Sequence, residues 1–257
     1  MRILLIGDIV GNAGVKKVKE GIDKIREKEK IDFIIANGEN SAEGMGITTG
    51  IFKNLINYGV NVITMGNHTW GKKDIFSIVK EESLLIPANF SRNVPGKGYN
   101  IYKCNDKKIA VINLIGRVDM NILSDNPFVV VEKILQKIKD EADIIIVDFH
   151  AEATAEKIAM GYFLDGKVSA IFGTHTHVAT ADEKILENGT AYITDIGMTG
   201  PKKSVIGMDV DASIKRFYTT LPERYKVSTD ENQMMNGVIL SINDETCRVE
   251  KIERINV

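Results

Sequence analysis

The chain has 257 residues, with 33 Lys and Arg against 35 Asp and Glu, so its formal net charge is −2. This balance argues against a protein whose main task is to coat a nucleic-acid backbone, because such proteins carry a large excess of positive charge. Charged residues make up 26% and hydrophobic residues 44%, which is typical of a folded globular protein and excludes a disordered chain.

The length of the chain and its cysteine content indicate its domain organisation and its cellular compartment. No linker, low-complexity tract or internal repeat divides the sequence, so we predict one domain over residues 1–257. Cys104 and Cys247 lie far apart and outside any CxxC motif, which favours buried thiols in a reducing compartment. We find neither a secretory signal nor an apolar run of the roughly 18 residues that span a membrane. We therefore expect a cytoplasmic protein without membrane contact.

Short apolar runs alternate with charged, amphipathic segments through the first 200 residues. Nearly continuous apolar runs are typical of parallel strands that are covered on both faces. The predicted strands are Ile3–Ile6, Phe33–Ala36, Val60–Met65, Ile109–Leu114, Ile144–Phe149 and Val168–Phe172. The predicted helices are Val15–Lys30, Thr48–Tyr58, Val129–Asp140 and Glu152–Leu164. This alternation predicts an α/β fold.

The pattern changes after residue 172. Glu183–Leu186 and Ala191–Thr194 flank a short turn and are predicted to form a hairpin. Gly237–Ile242 and Cys247–Ile252 flank the turn Asn243–Thr246 in the same way. We therefore expect βα units first and mostly antiparallel strands after them.

All four histidines closely follow apolar runs: VITMGNH ends at His68, IIIVDFH at His150, and AIFGTHTH contains His175 and His177. The other polar residues at such positions are Asp8 after RILLIG, Glu39 and Asn40 after FIIANG, and Asn67 before His68. In open α/β sheets, ligands bind beyond the carboxyl ends of the strands. Five strand ends are therefore expected to deliver these side chains to one rim.

The donor set contains nitrogen and oxygen atoms and no thiolate, which suits zinc, iron, copper, nickel or manganese. About seven donors exceed the need of one tetrahedral ion, which suggests a two-metal site of the kind that hydrolyses phosphate esters. Each piece alone has a structural explanation: a lone histidine as a core residue, Asp8 as a helix cap, and NGEN as a turn. The coincidence of all of them at strand ends favours the metal site.

The motifs GDIVG, NGEN, GNHTW, DFHAEAT and GTHTH resemble those of the calcineurin-like metallophosphoesterases in order and spacing. The phrases HAEATAEK, GTHTHVATAD, TDIGMTGP and IGMDVDASIKRF are similar to a bacterial branch of that superfamily, the YmdB-like metallophosphoesterases. Three features depart from the general pattern. No histidine stands two residues after Asp8, Glu39 replaces the usual aspartate, and GTHTH replaces GHTH. These departures fit the branch and leave the identity of the metal open.

The resemblance implies a four-layer α/β/β/α sandwich with a dinuclear site. It implies that Asp8, Glu39, Asn40 and His177 hold the first ion, with Glu39 bridging. It implies that Asn67, His150 and His175 complete the second, and that His68 protonates the leaving group rather than binding metal. An imidazole, with an ordinary pKa near 6.5, suits that role.

The resemblance also implies the cofactors and partners. Iron is the usual metal of the branch, with manganese supporting activity, and the substrates are phosphodiesters, in particular 2′,3′-cyclic nucleotides. RNA ends are a further candidate substrate, and members of the branch tend to form homo-oligomers.

Two residues lead to hypotheses beyond the resemblance. Asp148 is predicted to share a strand face with His150 and to orient an imidazole, or to be tied to backbone donors. Trp70 is predicted either to stack on a substrate base or to anchor its loop against the core.

The motifs of nucleotide-cofactor enzymes and of serine hydrolases are incomplete in this sequence. GDIVGNAG fits neither GxGxxG nor the Walker pattern, and Ser41 and Ser204 lack a GxSxG setting. The alternatives to a phosphodiesterase are a regulatory metal- and nucleotide-binding protein with slow turnover and a phosphomonoesterase. The segment Lys202–Ile206 is expected to form an exposed loop that borders the cleft.

Overall fold

A computed structural model describes residues 1–224 and 226–257. The strands are β1 Arg2–Ile6, β2 Asp8–Ile9, β3 Phe33–Asn37, β4 Val62–Thr64, β5 Leu84–Leu85, β6 Tyr99–Cys104, β7 Lys107–Ile115, β8 Ile144–His150, β9 Ala170–Thr174, β10 Lys184–Ile185, β11 Ala191–Ile193, β12 Met198–Pro201, β13 Gln233–Ile242 and β14 Val249–Asn256. The helices are α1 Gly11–Arg26, α2 Thr49–Asn57, α3 Ile75–Ile78, α4 Pro127–Ile138, α5 Thr154–Leu164 and α6 Val210–Thr219.

The strands form two sheets. The first has eight strands in the order β2-β12-β13-β1-β3-β4-β5, with β14 also paired to β13. The second has six strands in the order β10-β11-β9-β8-β7-β6. The strands β1, β3, β4 and β5 run parallel in the first sheet, and β7, β8, β9 and β11 run parallel in the second. Each sheet therefore brings several carboxyl ends to one edge.

Alternating side chains of each central strand enter two different hydrophobic cores. In β1, Ile3 and Leu5 pack between the two sheets, whereas Leu4 and Ile6 pack beneath the helices α1 and α2. In β7, Val111 packs between the sheets and Ile112 packs beneath α4. Both faces of both sheets are thus covered, which explains the continuous apolar runs. The layers follow the order helix, sheet, sheet, helix, which confirms the four-layer sandwich.

The first helix begins earlier than predicted. The apolar spacing in the sequence starts at Val15, but α1 starts at Gly11 and ends at Arg26. Its first turn packs directly on β12: a Cβ added at Gly14 would lie 2.3 Å from the carbonyl oxygen of Thr199. A turn that must be small to fit its neighbour carries no hydrophobic periodicity, so the pattern did not reveal it.

The other predicted elements differ mainly at their ends. The hairpin is confirmed as β10 and β11, with Lys184 opposite Tyr192, and the final pair is confirmed as β13 and β14. The apolar pattern of the sequence did not predict the short or partly exposed elements, which are β2, β5, β6, β12, α3 and α6. Both cysteines are free, Cys104 buried and Cys247 half-buried. Among the residues described, none of the helices combines the length and apolar character that crossing a membrane requires.

Candidate metal centre

The predicted site residues meet where the carboxyl ends of the two sheets face each other. The first sheet supplies the polar residues that begin β2 or follow β3 and β4, namely Asp8, Glu39, Asn40, Asn67 and His68. The second supplies the end of β8 and the segment after β9, namely His150, His175 and His177. The expected single rim is therefore a junction between two sheets, and each half of the site depends on the other sheet.

One half of the site is centred on the imidazole of His150. Its Nε2 atom lies 3.2 Å from Glu39 Oε1, 2.9 Å from Asn67 Oδ1 and 3.0 Å from His175 Nδ1. Glu39, His150 and His175 each offer one ligand atom, and these atoms lie within 4.8 Å of one another. Carboxylate, amide and imidazole donors at this separation fit the coordination chemistry of a transition-metal ion.

The other half is centred on the side-chain amide of Asn40. Its Nδ2 atom lies 3.1 Å from Glu39 Oε1, 3.4 Å from Asp8 Oδ1 and 3.2 Å from His177 Nε2. The His177 Nε2 atom is 3.8 Å from Asp8 Oδ1. Glu39 contacts both halves, which is the position that a bridging carboxylate would need. All seven residues predicted as ligands thus belong to one contact network.

The amide of Asn40 also contacts His68. His68 Nδ1 lies 2.8 Å from Asn40 Oδ1, and the His68 backbone N–H donates to Glu39 Oε2 at 2.8 Å. For Asn40 to ligate a metal beside Asp8 and His177, its amide group would have to turn so that oxygen replaces nitrogen. The His68 side chain is 33% exposed, whereas Asp8 and Glu39 are almost completely buried.

Burial and neighbouring charges perturb the pKa values of the acidic groups. Burial raises the pKa of Asp8 above its ordinary value. Burial also acts to raise the pKa of Glu39, but the imidazoles of His150 and His68 hold it well below its usual range. Buried carboxylates require a compensating cation. This concentration of buried negative charge therefore fits the binding of metal ions.

Two histidines that lie in contact shift in opposite directions. Burial acts to lower the pKa of His150, but Glu39, Asp8 and Asp148 raise it to about 9. Burial and the adjacent His150 lower the pKa of His175 to about 3. The two rings meet edge to face, with centroids 4.8 Å apart. A neutral His175 is in the protonation state that metal coordination needs.

A hydrogen-bonded chain fixes the orientation of His150. Its Nδ1–H donates to Thr174 Oγ1 at 2.9 Å, and Thr174 Oγ1 donates to Asp148 Oδ1 at 2.7 Å. Asp148 also accepts from Thr64 Oγ1 at 2.5 Å, and burial raises its pKa to about 6. Asp148 therefore reaches the imidazole through Thr174, a link that the sequence analysis did not anticipate. The chain leaves Nε2 of His150 facing the other donors.

Gly66, in the GNH motif, has no side chain and so leaves room for the side chains of Glu39 and His150. A Cβ at this position would lie 2.4 Å from Glu39 Oε2 and 2.4 Å from His150 Nε2. Real Cβ atoms do not approach other atoms so closely, so a larger residue would displace one of the two side chains.

Trp70 lies in the loop after His68 but makes its contacts with other aromatic rings. Its ring is stacked on Phe76, with centroids 5.7 Å apart, and is tilted against Phe90 at 6.2 Å. It is half-buried against the core beneath the helices. This packing is what the loop-anchor interpretation predicts, and part of the side chain remains accessible to solvent.

The structure adds one contact that the sequence did not predict, at Glu152, and confirms that the loop Lys202–Ile206 borders the site. Glu152 Oε2 lies 3.1 Å from His175 Nε2. The predicted helix began at Glu152, whereas the observed helix α5 begins at Thr154. His177 Nδ1–H donates to the carbonyl oxygen of Ile206 at 2.8 Å, so the loop Lys202–Ile206 borders the site. The sequence did offer a signal for Glu152, because its carboxylate follows the candidate ligand His150 by two residues. The position of the loop was predicted, but its contact through Ile206 was not, because any residue offers a backbone carbonyl.

The chain is similar to known proteins over its whole length. The profile of the YmdB-like protein family matches residues 4–255. A Bacillus subtilis (strain 168) protein named 2′,3′-cyclic-nucleotide 2′-phosphodiesterase is 49% identical over 256 residues, covering 99% of this chain and 96% of that protein.

Two crystal structures share the fold closely. One, described as a novel phosphatase from Mycoplasma pneumoniae, is 38% identical with a TM-score of 0.94, covering 100% of this chain and 93% of that chain. The other is a hypothetical protein from Thermus thermophilus, which is 34% identical with a TM-score of 0.93, covering 100% of this chain and 99% of that chain.

Proposed function

This chain belongs to the YmdB-like protein family, and from that membership we propose that it is a metal-dependent phosphodiesterase that hydrolyses 2′,3′-cyclic nucleotides. The observation that carries the proposal is the single contact network formed by Asp8, Glu39, Asn40, Asn67, His150, His175 and His177. The 49% identical relative is named for this activity, and similarity extends over the full chain.

Two ions would be held by the two halves of the site. Asp8, Glu39, Asn40 and His177 would bind the first, with Glu39 bridging, and Asn67, His150 and His175 would bind the second. When bound, the ions neutralise charge on the phosphoryl oxygens and lower the pKa of water. The mixed carboxylate, amide and imidazole donors suit iron, which we propose as the resident metal, and also manganese.

His68 is proposed as the general acid. Its Nδ1 atom faces the side-chain amide of Asn40, which leaves Nε2 as the ring atom able to exchange a proton with a substrate. Its side chain is 33% exposed and can reach a substrate, unlike the buried imidazole of His150. Transfer of a proton from Nε2 to the leaving oxygen would complete cleavage of the phosphodiester. A protein that only binds nucleotides has no need of such a donor.

Trp70 is proposed to contact the base of a bound nucleotide. One face of its ring packs on Phe76, so any base would have to use the remaining exposed part. Trp70→Ala is expected to raise KM for a 2′,3′-cyclic nucleotide. An unchanged KM accompanied by a lower Tm would assign Trp70 to anchoring its loop.

The cellular location, the oligomeric state and the wider substrate range of the protein are also proposals. The free thiols of Cys104 and Cys247 support a cytoplasmic location. Exposed apolar side chains on and after α6, including Phe217 and Tyr218, support formation of a homo-oligomer, since such groups often mark interfaces. RNA ends that carry cyclic phosphates would offer the same chemistry as free cyclic nucleotides.

The first experiment compares the diester bis-p-nitrophenyl phosphate with the monoester p-nitrophenyl phosphate, using purified protein supplied with Mn²⁺. We expect turnover of the diester, and about 10²- to 10⁴-fold lower kcat in His68→Ala with the metal content retained. A preference for the monoester would favour a phosphomonoesterase. Two bound ions without turnover would favour a regulatory binding protein.

Glu39→Gln is the companion variant, because Glu39 contacts both halves of the site. It is expected to lose both ions and activity together, whereas His68→Ala loses activity alone. Full turnover by Glu39→Gln would contradict the two-metal mechanism. Hydrolysis of 2′,3′-cyclic AMP, followed by product analysis, then tests the substrate class.

A further inference from the structure

A buried ion pair connects two of the sequence motifs that are similar to the YmdB-like branch. The proposed reaction assigns no role to this pair. Lys157, in HAEATAEK, lies on α5, and Asp195, in TDIGMTGP, follows β11. The Lys157 Nζ atom lies 2.7 Å from Asp195 Oδ2, and both side chains are 1% exposed. A lysine and an aspartate are this deeply buried only when they are paired and hydrogen-bonded.

The carboxylate of Asp195 also holds the segment between two candidate ligands. Its Oδ2 atom accepts from the backbone N–H of Thr176 at 3.1 Å and from Thr176 Oγ1 at 2.8 Å. Its Oδ1 atom accepts from the backbone N–H of Gly197 at 2.8 Å. Thr176 stands between His175 and His177, so the pair is connected to both imidazoles through one residue.

The backbone around Thr176 needs such support. His175 has φ 104° and His177 has φ 66°, which lie in the region that residues other than glycine rarely adopt. Such conformations persist only where the surrounding structure enforces them. The end of β9 is tightly enclosed as well: a Cβ at Gly173 would lie 1.8 Å from the carbonyl oxygen of Thr194 and 3.0 Å from Lys157 Cδ.

We propose that Lys157 and Asp195 are positioning residues that hold the His-Thr-His loop in the conformation that directs both histidines to the metal ions. Lys157 neutralises Asp195 in the interior, and Asp195 then fixes Thr176 with charge-assisted hydrogen bonds. This inference rests on the proposed function, because it takes His175 and His177 as ligands. It adds that their geometry is imposed by residues that touch neither the ions nor the substrate.

The sharpest test is a pair of substitutions at Thr176. Thr176→Val keeps the size of the side chain but removes the hydroxyl that donates to Asp195, whereas Thr176→Ser keeps it. Lys157→Met is the stronger variant, because it leaves Asp195 without its counter-ion. The measured quantities are Mn²⁺ affinity and stoichiometry of the metal-free protein, from titration calorimetry, and the EPR spectrum of the bound ions.

We expect Thr176→Val and Lys157→Met to bind Mn²⁺ about 10- to 100-fold more weakly, as is typical when a group that orients a ligand is lost. The EPR signal of a coupled pair should give way to that of isolated ions, and Thr176→Ser should restore the wild-type values. Val131→Ala, on the buried face of α4, provides a control that should lower Tm and leave Mn²⁺ affinity unchanged.

Wild-type affinity and spectrum in Thr176→Val would overturn the inference, even if Lys157→Met failed to fold. Equal loss of affinity in Val131→Ala would also overturn it, because the effect would then follow from stability alone. Wild-type protein that binds no Mn²⁺ would contradict the proposed metal site itself, and with it this inference. These results are distinct, so failure of the positioning role can be told from failure of the proposed function.

Discussion

His68 donates from Nδ1 to the amide oxygen of Asn40 at 2.8 Å, while the nitrogen of the same amide faces Asp8, Glu39 and His177. Asn40 therefore connects the proposed proton donor with the proposed ligands. If its amide turned to place oxygen towards a metal ion, its nitrogen would face His68, whose Nδ1 would then have to accept. Binding of an ion at the proposed first position would therefore set the tautomer of His68 through this one side chain.

Asn40→Asp tests that coupling. A carboxylate placed beside an imidazole favours the protonated, charged form of the ring. Because a general acid must be protonated, activity is lost as pH rises and the acid loses its proton, and the new carboxylate moves that loss to higher pH. We expect the alkaline limb of the pH profile of kcat to move to higher pH. An unchanged limb at unchanged metal content would contradict the proposed role of His68 as the proton donor.

Thr174→Val tests the chain from Asp148 to His150. The substitution preserves shape but removes the hydroxyl that accepts from His150 Nδ1 and donates to Asp148. Loss of a group that orients a ligand typically costs about 10- to 100-fold in metal affinity, and we expect a loss in that range. Asp148→Asn should act in the same direction. Wild-type Mn²⁺ affinity and turnover in both variants would remove the orienting role of Asp148.

Gly66→Ala tests the space available between the ligands. The added Cβ would lie 2.4 Å from Glu39 Oε2 and from His150 Nε2, so at least one of these side chains must move. We expect metal content and kcat to fall together. Gly50→Ala is the matched control, because the nearest atom to its added Cβ is Thr48 Oγ1 at 4.0 Å. Gly50 lies in α2, so this control should keep activity and gain up to about 1 kcal/mol of stability.

Asp182→Asn tests a carboxylate outside the metal site. Burial acts to raise the pKa of Asp182, but hydrogen bonds from Thr180 and Thr194 hold it below its ordinary value of 3.8. A carboxyl whose pKa is lowered on folding stabilises the protein above the ordinary value, and this contribution is lost as pH falls through the lowered one. We expect Asp182→Asn to cost about 1–2 kcal/mol of unfolding free energy at pH 7.

Urea unfolding of Asp182→Asn and wild type between pH 7 and pH 2 measures this difference. It should shrink once the pH falls below the ordinary carboxyl value, as wild-type Asp182 becomes protonated. Asp106→Asn is the control, since its side chain is 81% exposed and its removal should change stability by less than about 0.5 kcal/mol. A difference that stays constant over the whole pH range would rule out the charged form as the source of stability.

The sequence alone determined the class of fold and indicated which polar residues gather at one place. Strands buried on both faces must be apolar throughout, so β1, β3, β7, β8 and β9 were visible as continuous apolar runs. One polar residue directly after such a run is common, but acidic, amide and histidine side chains after several runs in one chain are not. For this reason Asp8, Glu39, His150 and the histidines of GTHTH could be identified before the structure was known.

Only the tertiary structure decided how these residues are held. Whether strands join one sheet or two is set by contacts between distant segments. The division of the proposed ligands between two sheets therefore left no local pattern in the sequence. The link from Asp148 to His150 runs through Thr174, and the link from Lys157 to Thr176 runs through Asp195. Each link joins residues on different strands, helices or loops. Hydrogen bonds of this kind depend on where folding places two atoms, and a sequence records only which atoms the chain contains.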